Sequence, residues 1–267
     1  MVMKCTLRNI WISLFLVLGL NLNAQDLKLN ELDSIVALAV DAKTNFFVAD
    51  QANTLFKVSS KGETITQVNT KLYGEISKID CSNPFEVYTY HKDQNLIVYY
   101  DNMLNIKGLT RLNDIYLGNV QAAARSFDNN LWVWDVGEFK LKKVSKLGKE
   151  LLSSPNLLNV LNKDLAIINV YEENGKVHLV DTLNGVHQFD LFATHITTHY
   201  HHKSFSEAIS YPNYYIFKSG EDLYLYHKLS RALFKKYIVP KNLSIVSFDG
   251  NLVSGFYGNT IMTYKLQ

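Results

Sequence analysis

Val40-Asp-Ala-Lys-Thr-Asn-Phe-Phe-Val-Ala-Asp50 and Phe127-Asp-Asn-Asn-Leu-Trp-Val-Trp-Asp135 are two versions of one pattern. Each has a hydrophobic residue, a polar turn, a short apolar run and a closing Asp. Each continues into a second run, Thr54-Leu-Phe-Lys-Val58 and Lys140-Leu-Lys-Lys-Val144, and then a glycine-bearing turn, Ser60-Lys-Gly-Glu63 and Lys146-Leu-Gly-Lys149. Runs of about five β-branched and aromatic residues closed by Asn, Asp and Gly read as strands. The unit returns more loosely at Tyr171–Asp181, Ser210–Tyr226 and Ser247–Val253.

Unit starts fall near Asp33, Glu75, Asn119, Lys163, Phe205 and Ile245, at steps of 42, 44, 44, 42 and 40 residues. That period is the length of a four-stranded propeller blade, roughly 40–45 residues. The reading is an all-β fold, a β-propeller of six blades with about four antiparallel strands each. The last unit has room for two or three strands only. Leu27-Lys-Leu-Asn-Glu-Leu32 alternates like a strand and is expected to complete that blade, closing the ring and removing two unpaired sheet edges. Asn156-Leu-Leu-Asn-Val-Leu161 is the one stretch where a helical turn competes.

Ahead of the repeats stands a different kind of segment. Met1 to Arg8 carries Lys4 and Arg8, Ile10 to Leu20 is almost wholly apolar, and Ala24 precedes Gln25-Asp26. This is the order of a secretory signal peptide, and the apolar run is short for a membrane span of about 20 residues. The expected organisation is a signal peptide over 1–24, a single propeller domain over 25–267 and a periplasmic location. Cys81 is then the one cysteine left, so no intramolecular disulfide forms.

The whole chain of 267 residues has 27 Lys+Arg against 25 Asp+Glu. Without Lys4 and Arg8 the two are equal. A neutral chain offers no general electrostatic grip on nucleic acid, which needs a basic excess or a basic face. Hydrophobic residues make up 47% and charged residues 19%, a composition that buries a core rather than staying disordered.

Chemistry is harder to find. There is no Gly-x-Ser-x-Gly elbow, glycine-rich phosphate loop or dinucleotide fingerprint. His195, His199, His201 and His202 crowd Thr194–Lys203. On a regular strand His195, His199 and His201 share one face, and imidazoles so placed suit zinc or copper. No carboxylate or thiol within the run completes a ligand set; Glu207 is the nearest carboxylate, and a polar outer strand is the plainer account. Asp50, Asp135 and Asp181 either ring a site or cap hairpin turns by accepting backbone N–H groups; capping suffices. Glu172-Glu173 and Glu221-Asp222 read as turn residues.

Propellers with hydrolytic activity hold a metal in the axial channel by carboxylates on innermost strands. The innermost strands are expected at Ile35–Ala39, Ile76–Ile79, Val120–Ala124, Leu165–Ile168 and Ala208–Ser210, all small or apolar and free of carboxylates. On that assignment the chain is not an enzyme, and no residue is assigned as catalytic, cofactor-binding or metal-binding. Two alternatives remain. One is a channel-metal lactonase or phosphoesterase. The other is a glycan binder using Trp132 and Trp134, which share a strand face.

Gly74-Glu-Ile-Ser-Lys-Ile-Asp-Cys-Ser-Asn-Pro-Phe-Glu-Val-Tyr-Thr-Tyr-His-Lys-Asp-Gln-Asn-Leu-Ile-Val-Tyr-Tyr-Asp-Asn-Met-Leu-Asn105, with Asp128–Asp135, resembles a group of exported Bacteroidota propellers. Ile79-Asp80, Asn83-Pro-Phe85 and Asp101-Asn-Met-Leu-Asn105 carry the likeness, which covers about 60 residues. The group is associated with the plug subunit of the type IX protein secretion translocon. The resemblance implies a propeller under the periplasmic mouth of a large outer-membrane barrel, stopping leakage, with an outer-membrane or periplasmic protein as partner and no catalytic residues. Ile261–Lys265 reads as the last blade strand rather than as a sorting domain, so release from the cell by the type IX route is not expected.

Overall fold

The computed structural model describes residues 24–83, 85–115, 119–200, 204–211, 213–249 and 252–265. The proposed signal peptide lies outside these residues up to position 23, as do His201 and His202. Strand β1 (Ala24–Lys28) leads into blade 1, made of β2 (Ile35–Val40), β3 (Phe46–Asp50), β4 (Thr54–Val58) and β5 (Thr64–Asn69). Blade 2 is β6 (Lys78–Asn83), β7 (Glu86–His91), β8 (Leu96–Tyr100) and β9 (Ile106–Arg111). Blade 3 is β10 (Val120–Arg125), β11 (Leu131–Asp135), β12 (Lys140–Val144) and β13 (Glu150–Ser153). The short helix α1 (Leu157–Leu161) follows, capped by the Asn156 side chain, which accepts from Asn159 N at 3.2 Å. Blade 4 is β14 (Ile167–Glu173), β15 (Lys176–Asp181), β16 (Gly185–Phe189) and β17 (His195–His199). Blade 5 is β18 (Glu207–Tyr211), β19 (Tyr214–Ser219), β20 (Asp222–His227) and β21 (Ala232–Ile238). Blade 6 is β22 (Ser244–Asp249), β23 (Leu252–Tyr257) and β24 (Thr260–Lys265), with β1 as its fourth strand.

Every sheet is antiparallel, and the chain is a six-bladed β-propeller. The N-terminal strand does close the ring, but at Ala24–Lys28 rather than Leu27–Leu32: Leu27 pairs with Ile261 and Lys28 with Thr260. Leu29 and Leu32, beyond the strand, turn inward and are buried in the same cluster as Ile261, Val48 and Phe56.

Burial explains the composition of the strands. The middle strands of a blade are covered on both faces by neighbouring blades, so β8, β11 and β16 are buried at every position. Outer strands face solvent, and β5 (Thr-Ile-Thr-Gln-Val-Asn) has no buried residue. Six hydrophobic clusters fill the interfaces between blades, the largest of them between blades 1 and 2 and between blades 3 and 4.

The two stretches aligned in sequence coincide in space. Phe47 faces Lys57 across β3 and β4, and Trp132 faces Lys143 across β11 and β12. Each ammonium sits over its ring, at 5.5 and 5.1 Å from the centroid, a cation–π pair in the same place in both blades. Among the described residues no helix is long and apolar enough to cross a membrane.

Candidate functional site

The recurring aspartates are turn caps. Asp50 Oδ1 accepts from Thr54 N at 2.9 Å, and Asp135 Oδ1 from Gly137 N at 2.9 Å. Asp181 Oδ1 takes Leu183 N at 2.9 Å and Ala166 N at 3.1 Å. The second oxygen of Asp181 accepts from His187 Nε2 at 2.9 Å, and His187 Nδ1 meets Thr198 Oγ1 at 2.9 Å. This polar ladder crosses blade 4 from β15 to β17 and is buried throughout.

His195 and His199 do not share a face. The β16–β17 register shifts between Gln188 and Phe189, which leaves Ile196 as an extra residue. A β-bulge of this kind inverts the alternation on one side of it. His195 therefore faces blade 3, with its ring 5.4 Å from Phe189 and its Nε2 3.0 Å from Thr198 Oγ1. His199 faces blade 5, packed edge-on against Tyr215 at 4.8 Å. Burial holds the His199 imidazole down at about 4, helped by Arg231 and Lys228. Among the described residues no group of three His, Cys, Asp or Glu converges on a common point.

Trp132 and Trp134 are fully buried, at 0% and 1% exposure, which removes them as a sugar platform. Trp132 Nε1 donates to Glu172 Oε2 at 2.6 Å, and Ser126 Oγ donates to the same oxygen at 2.7 Å. Glu172 and Glu173 lie in β14, not in a turn. Glu173 Oε2 accepts from Lys228 Nζ at 2.7 Å and also from Ser210 Oγ.

The assignment of the innermost strands needs correction. Blades 1 and 3 are as expected, but in blade 2 the strand is Lys78–Asn83, in blade 4 Ile167–Glu173 and in blade 5 Glu207–Tyr211. They contain Asp80, Glu172, Glu173 and Glu207. The expected runs Ile76–Ile79 and Leu165–Ile168 only overlap the start of these strands: Ile76-Ser77 and Leu165-Ala166 are the approach, and Ile76 is buried there like a strand residue. The axial channel, about 630 Å³, is lined by Asp80, Glu207, Lys78, Lys92, Gln121 and Asn169 among mostly small or apolar neighbours. Asp80 is committed to Ser82, whose N–H and hydroxyl donate at 3.0 and 2.6 Å. Glu207 accepts from Ile245 N at 2.6 Å.

Four innermost strands carry a register shift at the same level, leaving Val36, Gln121, Ile168 and Val246 as extra residues. All four line the channel. Lys78 runs along its wall from blade 2. Its Nζ donates to Ala123 O at 3.1 Å, Asn169 Oδ1 at 2.8 Å and Val170 O at 2.9 Å. Three donors meet three acceptors, so the ammonium is satisfied where it is buried. Burial nevertheless lowers its pKa to about 8, against the pull of Asp80.

The loops joining first to second and third to fourth strands form one face of the disc, here the lower face. In the third-to-fourth turns an opening side chain binds the turn's own amides. Asp101 Oδ1 accepts from Met103 N at 2.8 Å and Asn105 N at 2.9 Å; Asp190 Oδ1 accepts from Phe192 N at 2.9 Å and Thr194 N at 2.8 Å. The fourth residue of each turn has positive φ and tucks in (Leu104 +63°, Ala193 +64°). The third residue is thereby driven outward. It is Met103 in blade 2, Leu147 in blade 3 and Phe192 in blade 4. Phe85, Phe127 and Leu229 project from the same face, Phe85 at 81% and Leu147 at 98% exposure. Leu72 and Leu183 are exposed on the upper face.

This apolar arc was missed in the sequence, although an apolar residue in the middle of a polar turn (Asp101-Asn-Met-Leu-Asn105, Asp190-Leu-Phe-Ala-Thr194) is a visible signal.

Between Phe85 and the Ser126–Asn130 turn lies a depression of about 380 Å³, lined by Asn83, Glu86, Lys107 and Lys146 among others. Glu86 there faces three cations. Arg125 Nη1 is at 2.8 Å, Lys146 Nζ at 2.5 Å and Lys107 Nζ at 3.6 Å. Burial alone would raise the Glu86 carboxyl, but hydrogen bonds from Lys146 and Arg125 hold it below the usual carboxylate range.

No protein-family model and no curated protein matches the sequence. Solved structures match by shape. Virginiamycin B lyase from Staphylococcus aureus, a catalytically inactive H270A form with quinupristin, superposes with a TM-score of 0.65 at 13% identity, over 92% of this chain and 100% of that one. The WD40 propeller domain of Doa1 gives 0.64 at 10% identity, over 87% and 79%. BamB from Moraxella catarrhalis gives 0.57 at 7% identity, over 88% and 86%. At these identities the likeness is one of fold.

Proposed function

We propose that this chain is a non-catalytic periplasmic propeller that docks on an envelope protein through its lower face. The apolar arc carries the reading. Met103, Leu147 and Phe192 are held out by turns whose amides are satisfied internally, an arrangement that keeps apolar side chains in water unless a partner covers them. The resemblance of Gly74–Asn105 to the plug family makes the periplasmic mouth of the type IX secretion translocon the concrete partner. A disc with four bulge residues and Lys78 turned toward its axis suits covering an opening. Asp80 and Glu207 each take an internal donor on one oxygen, and among the described residues no third ligand-type side chain joins them, which gives a channel-metal hydrolase no support.

A photo-reactive benzoylphenylalanine placed at Leu147 or at Leu72 tests this in envelope vesicles. The expected result is an adduct with a large outer-membrane barrel from Leu147 and none from Leu72. Absence of adducts from both positions, or turnover of esters or lactones with stoichiometric bound metal, would overturn it.

A further inference from the structure

We propose that Asn174, in the turn between β14 and β15, is a site of spontaneous covalent modification: it converts, through a cyclic imide formed with Gly175, to aspartate and isoaspartate. The inference goes beyond the docking reading and does not depend on it.

The chain has two Asn-Gly pairs, Asn174-Gly175 and Asn184-Gly185. Glycine after asparagine leaves the backbone nitrogen unshielded by a Cβ. Closing a five-membered ring between chain neighbours is an intramolecular step that proximity favours. The sequence treats the two pairs alike; their surroundings in the fold separate them.

Asn174-Gly175 is the two-residue loop of a hairpin whose flanking residues, Glu173 and Lys176, are paired. Both loop residues have positive φ, +51° and +70°, the conformation in which Asn-Gly joins two strands. Both are exposed. Among the described residues no hydrogen bond holds the Asn174 side chain. A Cβ at Gly175 would meet nothing within 4 Å beyond its chain neighbours, so the Asn174 amide has room to swing onto the Gly175 nitrogen.

Asn184-Gly185 is clamped instead. Asn184 Nδ2 donates to Asp164 O at 2.7 Å and to Asp181 Oδ2 at 2.8 Å. Gly185 is buried at the start of β16 and pairs with Asp181. Ring closure there requires both bonds to break and the strand end to lift, so it proceeds only through local opening.

At Asn174 the Gly175 nitrogen attacks Cγ. The new N–Cγ bond forms as the Cγ–Nδ2 bond breaks, and Nδ2 leaves as ammonia with the Gly175 amide proton. Water then opens the imide at one carbonyl or the other, giving aspartate or isoaspartate; water is the one co-reactant, and nothing is oxidised or reduced. The new carboxylate stands on the lower face, in a depression of about 430 Å³ that Asn174 lines together with Glu172 and Glu173. Isoaspartate also lengthens the backbone of a loop that leaves no slack, which strains the Glu173–Lys176 pairing beside the Glu173–Lys228 bond.

Peptide mapping by mass spectrometry tests this on the purified full chain, aged in water labelled with heavy oxygen. In the folded chain the Asn174 peptide is expected to become two acidic isomers, each carrying one labelled oxygen, roughly tenfold or more faster than the Asn184 peptide. In guanidinium chloride the two peptides should react at similar rates, because only the sequence then acts. Asn174→Gln should remove the acidic isomers from its own peptide and leave the Asn184 peptide as it was. Equal rates at the two sites in the folded chain would overturn the proposal. So would an Asn174 that reacts in guanidinium chloride and stays intact in the folded chain, because the turn would then be protecting it.

Discussion

The Lys78 ammonium lies 2.8 Å from Asn169 Oδ1, joining blade 2 to blade 4 past the edge of blade 3. Its folded-state pKa of about 8 lies below the ordinary lysine value of 10.5. Between those two pH values the unfolded chain binds the extra proton, so raising the pH favours the folded state. The cost of the buried charge is present in full below pH 8 and is relieved as pH climbs toward 10.5. The stability of the native chain relative to Lys78→Met is expected to rise by about 2–3 kcal/mol between pH 7.5 and 10. Urea unfolding at several pH values reads this, and tyrosine titration cancels in the difference. A flat difference would mean that the ammonium is solvated.

Trp132 and Glu172 form a second inter-blade bond. Trp132→Phe keeps the ring in the core but leaves a carboxylate oxygen one donor short. A loss of about 1–3 kcal/mol is expected from the missing charge-assisted bond. The two tryptophans of the propeller are both in blade 3, so native emission should be blue-shifted and resist acrylamide. Quenching of the folded protein at the rate seen in urea would contradict their burial.

His178 stacks on Tyr171 at 4.8 Å, and its Nδ1 meets Tyr215 Oη at 3.0 Å. Burial, with Lys228 and His199 nearby, lowers its pKa to about 3 from the ordinary 6.5. Within that window the unfolded chain takes up the proton that the folded chain refuses, so stability drains away as pH falls below 6.5. From pH 6.5 to 4.5 the native chain should lose about 2–3 kcal/mol more than His178→Gln. Parallel losses in the two proteins would show that the acid response comes from elsewhere.

Gly255 faces Ile245 across β22 and β23. A Cβ there would overlap the Ser244 carbonyl oxygen and crowd Leu243. Gly255→Ala should cost about 1–3 kcal/mol through forced backbone movement, whereas Gly108→Ala, with open space around it, should be nearly silent. Thermal midpoints of the two variants make the comparison, and equal midpoints would place blade 6 differently.

The architecture was legible because it is periodic. Asp50, Asp135 and Asp181 end equivalent strands in blades 1, 3 and 4, and an aspartate that closes a hairpin leaves a mark on composition at each of those turns. The ring-closing strand was visible too, displaced by a few residues because the buried Leu29 and Leu32 extend the apolar alternation past the last ladder bond. Strand boundaries next to the axis were legible in blades 1 and 3, in spite of the bulges at Val36 and Gln121, but not in blades 2 and 4, where apolar residues just ahead of the strand, Ile76 and Leu165, imitate its start. A bulge at Ile196 sent His195 and His199 apart. The apolar tips went unread because periodicity sorts residues into core and solvent, while Met103, Leu147 and Phe192 are apolar residues placed in solvent by turn geometry.

The pairing of β1 with β24 has a thermodynamic corollary. In a linear stack of repeats the terminal unit is supported on one side only, so it frays first and melting can spread inward. Here each blade has two neighbours and no unit occupies an end. Melting any one sector strips an interface from both flanks, so the circuit is expected to come apart in a single concerted transition, with β1 as the clasp whose release starts it.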